Sequence, residues 1–565
     1  MKRCPECRRD YYDDSLLYCL DDGTALLEGP GSMDEAATAI LSEAHRTGES
    51  KTRALDTESA LPAKAGSNRN SIIAGTLGIL IVAALAIGGY TYCGRADGEI
   101  GSIAVLPFVN ESGNPEIEYL SDGMTETLIN NLSQIPKLSV KARSSVFRYK
   151  GQNVEPQKVA ADLSVQAVLN GRVVQRGEHL TLSLDLVDAR TGDHIWGEQY
   201  NRKVTDVIAL QSEIARDVSN KLRARLSGAD TQRVTKSHTT DPEAYQFYLQ
   251  GRYFWNKRNG NDIRKSLDYF QKAIDKDPTY ALAYAGLADA YAVLPSYAAD
   301  TAHEFHRKAR AAASKALELD ESLAEPHATL ASVMFEYDWN FAESEREFKR
   351  AIELNPSYAT AHHWYAEYLL ALDRDDEAFL AIKRAQAEDP LSLIINGIVG
   401  IILFERGEHD QSVTQLKRTV EMDPNFPRTH LFLADVYAKM GMFEESIDEQ
   451  EKLLVLLGMP RDDVARAAAG LRSELKRSGK NGYFRKQLEF IKASGSANPN
   501  FAPPLFVVAS IHAQLGETEQ AFALLERSYE QREPDLIRLR RERRFDPIRS
   551  DPRFADLIRR IGFPQ

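Results

Sequence analysis

The sequence has little cysteine, and it has none after position 93. Only four of its 565 residues are cysteines, and three of them, Cys4, Cys7 and Cys19, lie close together at the start. The remainder of the chain could therefore occupy an oxidising compartment without mispairing thiols. The three clustered thiols are typical of a metal module in a reducing compartment.

An excess of positive charge is also missing. The chain carries 70 Lys and Arg residues against 82 Asp and Glu residues, a net charge of −12. Phosphate binding needs a dense basic face, so the composition argues against nucleic acid as the principal partner. The length also exceeds the roughly 250–300 residues at which a single core stops growing, which predicts several domains.

Catalytic motifs are absent from the sequence as well. It contains no Walker A loop, no dinucleotide-binding Gly-x-Gly-x-x-Gly, no HExxH helix and no Gly-x-Ser-x-Gly elbow. Carboxylates are frequent, but no pair of them stands out from the charged faces. We therefore expect that the chain is not an enzyme.

One long uncharged run is present, at residues 72–94. As a helix it is long enough to cross a hydrocarbon core of about 30 Å. Four basic residues precede it within residues 51–69, whereas only Arg95 follows it before Lys137. The positive-inside rule then predicts a single membrane span with a cytoplasmic amino terminus and an exported remainder. Two small-xxx-small pairs, Ala74/Gly78 and Ala84/Gly88, would allow this helix to form a homodimer.

The cysteine cluster predicts a zinc ribbon at residues 1–27. Cys4 and Cys7 form a C-x2-C half, and Asp22 stands at the same spacing after Cys19. Zinc favours thiolates in a tetrahedral array, so the predicted ligands of a structural Zn²⁺ are Cys4, Cys7, Cys19 and Asp22. Asp21 or a water is the alternative fourth ligand, and a decayed ribbon without metal is the alternative for the whole module. The segment CPECRRDYYDDSLLYCLDDGTAL resembles the amino-terminal zinc ribbons of bacterial membrane proteins.

Residues 28–71 read as a flexible linker, and a different pattern begins near Gly101. Leu120, Met124, Leu128 and Leu132 share one helical stripe, and Leu180 to Leu186 alternate as in a strand. The segments SIAVLPFVNESGNPEIEYLSDGMTETLINNLS and DARTGDHIWGEQYNR resemble the TolB-amino-terminal-like domain of bacterial multidomain regulators. That resemblance implies a non-catalytic α/β domain at residues 101–228, which often precedes tetratricopeptide repeats and follows kinase, cyclase or winged-helix domains.

The rest of the chain repeats itself. Pro356, Pro390 and Pro424 are 34 residues apart, the period of tetratricopeptide (TPR) repeats. We predict a superhelix of about seven repeats at residues 242–535, degenerate at 460–498, with a capping helix at 536–565. The basic run at 538–544 is interpreted as a solvated capping face, with a polyanion site as the alternative. Residues predicted to line a partner groove are Asp289, His363, Glu367, Phe404, Arg428, Leu431 and Asp435.

The predicted fold class is multidomain, with a small zinc ribbon, one transmembrane helix, an α/β TolB-like domain and an all-α TPR superhelix. The hypothesis for function is a non-catalytic scaffold in a bacterial inner membrane, which presents the repeats in the periplasm to protein or peptide partners. The alternative is a transmembrane signalling or transcription-linked regulator with exported sensor domains and a cytoplasmic zinc-ribbon output.

Overall fold

The computed structural model describes residues 100–135, 138–222, 232, 234–257, 259–296, 302–497 and 503–564, together with three short strands near the amino terminus. The predicted zinc ligands, residues 29–71 of the predicted linker and the predicted membrane span lie outside the described residues. Within the part that the structure describes, no helix combines the length and the apolar character needed to cross a membrane. The chain divides into two compact units, Met1–Ala96 and Asp97–Gln565.

The first unit contains a small antiparallel sheet. Strand β1 (Lys2–Arg3) pairs with β2 (Asp10–Tyr11) on one side and with β3 (Leu27–Glu28) on the other. In chain order, Cys4 and Cys7 fall between β1 and β2, and Cys19 falls between β2 and β3.

The second unit begins with a mixed sheet in the order β6-β4-β7-β8-β9, and β5 also pairs with β7. β4 is parallel to β6 and β7, whereas β7, β8 and β9 are antiparallel neighbours. The strands are β4 (Ser102–Val105), β5 (Val109–Asn110), β6 (Ser139–Val140), β7 (Ala167–Arg176), β8 (His179–Asp188) and β9 (His194–Lys203). The helices of this domain are α1 (Glu118–Ser133), α2 (Arg143–Phe147), α3 (Pro156–Leu163) and α4 (Val207–Lys221).

Apolar periodicity explains how this sheet and its helices bury their faces. Leu120, Met124, Leu128 and Leu132 of α1 are all buried, as their four-residue spacing requires. In β8 the even-numbered residues from Leu180 to Leu186 are buried, and the odd-numbered ones are partly exposed.

Paired antiparallel helices make up most of the remaining chain. They are α5 (Pro242–Trp255) with α6 (Gly260–Lys276), α7 (Ala281–Val293) with α8 (Ala302–Leu319), α9 (Ala324–Val333) with α10 (Phe341–Leu354), α11 (Ala359–Ala371) with α12 (Asp375–Glu388), α13 (Leu393–Glu405) with α14 (His409–Met422), α15 (Pro427–Lys439) with α16 (Phe443–Leu456), and α18 (Leu505–Gln514) with α19 (Thr518–Glu530). Between the last two pairs lies α17 (Arg461–Ala497), which is kinked at Gly479, where φ is 59° and ψ is −151°.

Small residues allow the two helices of a pair to approach closely. The hydroxyl groups of Ser344, Ser412 and Ser446, each on a second helix, donate to carbonyl oxygens of the preceding helix at 2.8, 2.7 and 2.8 Å. Gly251 and Gly286 lie against the ring of Phe270, and a Cβ on either would lie 2.6 or 2.5 Å from a ring carbon. These positions therefore exclude larger side chains.

The last 30 residues differ from the predicted capping helix. Two 3-10 turns, Pro534–Arg538 and Arg543–Ile548, precede a single α-helix, α20 (Pro552–Ile561). Pro534 begins the first turn, and Pro547 lies inside the second, where it removes a backbone donor and limits the turn's length. Asp551 caps α20 by accepting from the Arg553 amide, and Gly562 ends it with φ at 81°.

Candidate functional site on the inner surface of the superhelix

The sheet domain contacts the first helical pair through a buried ionic network. Arg252 of α5 donates from Nε to Oε1 of Glu126 in α1 at 2.6 Å and from Nη1 to Oδ2 of Asp289 at 3.3 Å. Asn256 donates to the other oxygen of Glu126 at 2.7 Å, and Thr329 donates to Asp289 at 2.8 Å. Burial opposes ionisation of Glu126, but Arg252 and Arg143 outweigh it and lower its pKa. Asp289, predicted to face a partner, thus belongs to this internal network.

A second contact joins the sheet domain to the loop after α12. The carboxylate of Asp389 accepts hydrogen bonds from the hydroxyls of Ser144 and Ser145. Lys141 donates from Nζ to the carbonyl oxygen of Ala387 at 2.7 Å. Burial raises the pKa of Asp389 even though both hydroxyls favour its charged form. The sheet domain is therefore joined to the fourth pair as well as to the first.

The superhelix curves far enough for its last pair to contact its third. The rings of Trp339, just before α10, and Tyr529, in α19, have centroids 5.1 Å apart. Arg532 donates to the carbonyl oxygen of Tyr337 at 2.8 Å, and its guanidinium lies 4.6 Å from the Trp339 ring. Phe341 stacks on Phe563 at 5.2 Å. These contacts join the third helical pair directly to the C-terminal part of the superhelix.

The C-terminal segment, residues 534–549, contacts the acidic inner wall of these repeats. Arg541 pairs with Asp373 and Asp375 and donates from Nη1 to the carbonyl oxygen of Leu370 at 3.1 Å. Its Nε lies 3.6 Å from Oε2 of Glu405, and only 13% of its side chain is exposed. The interpretation of the whole basic run as a solvated face is therefore wrong for Arg541, because acidic residues of the wall surround its guanidinium.

Arg544 takes part in the same contact one turn further along. It pairs with Asp435 of α15 at 3.1 Å and with Glu542 at 2.9 Å, and Lys439 lies 3.0 Å from Asp435. Burial opposes ionisation of Asp435, but Lys439 and Arg544 outweigh it and lower its pKa. The same two cations hold the pKa of the buried Glu542 carboxyl well below its usual value. Asp435 is thus neutralised from within the chain.

A third group of charges lies on the inner surface, on helices of different repeats. His363 and Glu367 of α11 lie one turn apart, with 3.3 Å between Nε2 and Oε2. Burial, with a smaller effect of Arg428, lowers the pKa of His363 to about 4. Burial raises the pKa of Glu367 to about 7 although Arg428 and Arg538 oppose the change. Burial and the neighbouring Glu367 likewise raise the pKa of Glu336 to about 7.

The structure separates the seven predicted groove residues into four groups. His363, Glu367 and Arg428 share the charge cluster just described, and Leu431, one turn after Arg428, is exposed. Phe404 is buried beneath Lys439 and Arg543, whose cations lie 5.7 and 5.5 Å from its ring. Asp435 joins the C-terminal segment, and Asp289 joins the sheet domain.

Sequence reasoning missed Glu126 and Arg252, which join the sheet domain to the first helical pair, and Arg541, Glu542 and Arg544 of the C-terminal segment. For Arg541, Glu542 and Arg544 the signal was the arginine-rich run at residues 538–544, which contains a single acid, Glu542, and lies against acids of the repeats such as Glu405 and Asp435. In the described part of the chain no group of three or more His, Cys, Asp or Glu side chains is arranged to hold a metal ion.

Comparisons with known proteins agree with this architecture. Residues 340–392 and 400–441 match tetratricopeptide-repeat family models. Residues 99–217 match the model described as "HilA/YgeH-like transcriptional regulator, second domain", a description that differs from the TolB-amino-terminal-like family predicted above. The chain is thus a multidomain TPR protein with an all-helical superhelix and a small sheet domain.

The relatives cover the chain only in part. "Putative adenylate cyclase 3" of Rhizobium meliloti (strain 1021) is 36% identical over 187 residues, 33% of this chain and 32% of the relative. The chain therefore spans about a third of the length of this curated relative. Among solved structures, PilF of Pseudomonas aeruginosa is 19% identical, covers 38% of this chain and 92% of its own, and has a TM-score of 0.28. The human IFIT1 dimer with m7Gppp-AAAA is 15% identical, with 57% and 77% covered and a TM-score of 0.36.

Proposed function

We propose that this chain is a membrane-anchored, non-catalytic scaffold that binds protein partners through its TPR superhelix. The observation that carries the proposal is the array of paired helices, two stretches of which match tetratricopeptide-repeat models. Such arrays expose long continuous surfaces and bind other proteins through them. The buried networks around Arg252 and Arg541 hold that surface rigid, which reduces the ordering cost of binding.

The part of the inner surface available to a partner is the cluster around Leu431. Leu431 is 41% exposed and stands one helical turn from both Arg428 and Asp435. On the amino-terminal side of Leu431, Arg428 is exposed and can bind an anion. On the carboxyl-terminal side, Asp435 already pairs with Arg544. An apolar side chain beside an exposed cation fits a peptide with an apolar anchor next to an acidic residue.

Anchoring and topology are part of the same proposal. Residues 72–94 would cross a bacterial inner membrane once, and a homodimer would form through their small residues. The amino-terminal module would bind Zn²⁺ through Cys4, Cys7, Cys19 and Asp22 in the cytoplasm. The sheet domain, a TolB-like interaction module in this proposal, and the repeats would lie in the periplasm.

Site-specific photo-crosslinking in intact cells tests the partner surface. A photoreactive residue at Leu431 should give a discrete adduct with an envelope protein, whereas the same residue at Leu457, another exposed leucine, should not. Equal adducts at both positions, or none at Leu431, would overturn the proposed surface.

A reporter that is active only after export, fused after Gln565, tests the topology, and its inactivity would refute the periplasmic assignment.

A second candidate function is transmembrane or transcription-linked signalling. The observation that favours it is the match of residues 99–217 to a domain of HilA/YgeH-like transcriptional regulators. Deleting residues 1–70 separates the two functions, because an output module is needed for signalling and not for partner binding.

The name of the cyclase relative supplies a further test: formation of cyclic AMP from ATP by the purified full chain would overturn the non-catalytic assignment.

A further inference from the structure

The first helical pair carries an aromatic–lysine patch, which we define as Phe247, Tyr253, Phe254 and Tyr269 with Lys257, Lys265 and Lys272. Phe254 of α5 and Tyr269 of α6 stack with centroids 5.2 Å apart and planes 4° apart. Tyr253 packs edge-on against Phe254 at 5.4 Å, and Phe247 lies 6.5 Å from Tyr269. All four rings are partly exposed, so the pair presents a continuous aromatic surface to solvent.

Three lysine ammonium groups lie over these rings. Lys257 Nζ is 4.6 Å from the Tyr253 ring and 4.8 Å from the Phe254 ring. Lys265 Nζ is 5.4 Å from Phe254, and Lys272 Nζ is 4.9 Å from Tyr269. Rings at these distances attract the cations and restrict long side chains that would otherwise sample many rotamers. The patch therefore holds three positive charges in place on a chain whose net charge is −12.

Contacts within the chain neutralise this charge only partly. An oxygen of the Asp262 carboxylate lies 3.3 Å from Nζ of Lys265, and this is the ion pair that the described residues form with the three lysines. The pair is exposed, and exposed ion pairs of this kind contribute only about 0–1 kcal/mol. A hydrogen bond from Asn259, with smaller effects of Lys265 and Lys257, lowers the pKa of Asp262, so among the described residues this one carboxylate faces two of the three ammonium groups.

We propose that the aromatic–lysine patch binds an extended acidic segment of a protein partner. Lys265 and Lys272 are seven residues apart on one helix, which separates their Cα atoms by about 10.5 Å along its axis. A peptide in the polyproline II conformation rises about 3.1 Å per residue with three residues per turn, so carboxylates three residues apart lie on one face and span about 9 Å. The carboxylates of a Glu-x-x-Glu segment therefore have nearly the same spacing as Lys265 and Lys272. Lys257 would pair with a third carboxylate of the segment. This inference rests on the proposed protein-binding function and names the chemistry of a partner.

The geometry favours an acidic peptide over a single-stranded nucleic acid. Bases bind such surfaces by stacking on open ring faces. Here Phe254 and Tyr269 already cover one another's inner faces, and lysines lie over the outer parts of the rings. A net charge of −12 also repels a polyphosphate more than a short peptide with a few carboxylates.

Fluorescence anisotropy with the full chain in non-ionic detergent tests the inference. The probe is a labelled peptide with Glu-x-x-Glu spacing in a Gly/Ser background. The variant Lys257→Glu/Lys265→Glu/Lys272→Glu should weaken binding at least about tenfold, and salt should weaken binding to the unmodified chain. The control Lys315→Glu/Lys452→Glu/Lys486→Glu removes the same charge from exposed lysines that pair with Glu318, Glu449 and Glu489. It should bind the peptide nearly as well as the unmodified chain.

Each other outcome contradicts the inference. Equal losses in the two triple variants would show a general charge effect, and no binding to the unmodified chain would exclude the site. Tighter binding of a thymidine oligonucleotide or of anionic lipid vesicles would assign the patch to a different partner. A chain that retains its adduct at Leu431 but does not bind the acidic peptide would overturn this inference and leave the proposed function standing.

Discussion

Nε of Arg252 in the first helical pair lies 2.6 Å from Oε1 of Glu126 in the sheet domain, and both side chains are largely buried. This hydrogen bond connects residues 126 positions apart in the sequence. The apolar cores of the sheet domain and of the first repeats are also continuous, extending from Ile103 of β4 to Leu330 of α9. The two domains therefore form one body, and their contact involves both charge and apolar packing.

Arg252→Met should destabilise the full chain, because it leaves Glu126 buried with less compensation. Removing one partner of a buried ion pair costs about 3–5 kcal/mol, and the remaining pairing of Glu126 with Arg143 reduces that figure. The midpoint of urea unfolding should fall, and adding Glu126→Gln should recover part of the loss. Arg346→Met, which breaks an exposed pair with Glu343, is the matched control and should leave the midpoint nearly unchanged.

The charge cluster on the inner surface makes stability depend on pH. Burial raises the pKa values of Glu336 and Glu367 to about 7, whereas an unfolded glutamate titrates near 4.3. The folded chain binds more protons between these values, so stability falls as pH rises from about 4.5 to about 7. His363 has the opposite effect, because burial lowers its pKa to about 4. The unfolded chain binds more protons at this histidine between about pH 6.5 and 4, so its contribution to stability is lost as the pH falls through that range.

Glu367→Gln should therefore raise the urea midpoint more at pH 8 than at pH 5. The groups facing Glu367 are Glu336, His363, Arg428 and Arg538, all of which remain in this variant. Glu353→Gln, at an exposed position of α10, is the control. If both variants show the same pH dependence as the unmodified chain, the cluster does not titrate as described.

Close helix packing in the repeats predicts opposite effects of two glycine substitutions. In Gly251→Ala the new Cβ would lie 2.6 Å from ring carbons of Phe270, and such overpacking typically costs about 1–3 kcal/mol. In Gly470→Ala the nearest atom is the mobile Cε of Lys486 at 3.1 Å, so the higher helix propensity of alanine should stabilise α17 by up to about 1 kcal/mol. Thermal unfolding of both variants checks the difference, and equal shifts would contradict the packing argument.

The repeats could be predicted from sequence because their period is local. Each repeat contacts only its neighbours. Those contacts require a proline every 34 residues and small residues where the paired helices cross, and both features are visible in the sequence. The predicted helix of the sheet domain, Leu120 to Leu132, was read from the same kind of short-range pattern. Of the site, repeat register alone placed His363, Glu367 and Arg428 among seven predicted groove residues, and their grouping apart from the other four comes from the structure.

Closure of the superhelix could not be predicted in this way. Arg541 meets Asp375 across 166 residues, and Arg532 meets Tyr337 across 195 residues. Such contacts depend on the accumulated curvature of several repeats, which small differences in each crossing angle determine. The basic run at 538–544 therefore looked like a solvated surface, although Arg541 and Arg544 pair with the inner wall.

The predicted zinc module has a direct test in metal content. The purified full chain should contain about one Zn²⁺, and Asp22→Ala should reduce that stoichiometry because it removes the fourth ligand. Asp21→Ala is the matched control and should retain the metal. Unchanged zinc in Asp22→Ala with loss in Asp21→Ala would transfer the ligand to Asp21, and absence of zinc from the unmodified chain would refute the metal site.

The C-terminal segment should detach when its central arginine is removed. Arg541→Ala loses the pairs with Asp373 and Asp375 and the bond to the Leu370 carbonyl, and it leaves acidic groups of the wall, Glu405 among them, facing one another. Their repulsion should weaken the contact of residues 534–549 with the wall, so amide hydrogen exchange should increase there and in α20.

Arg559→Ala is the control for this experiment, since Arg559 is exposed and, among the described residues, pairs with Asp556 of its own helix. The first two helical pairs should keep their exchange rates in both variants, because their contact with the sheet domain through Arg252 is independent of Arg541. Unchanged exchange at residues 534–549 in Arg541→Ala would mean that buried Leu536, Leu539 and Phe545 hold the segment without the ionic contact.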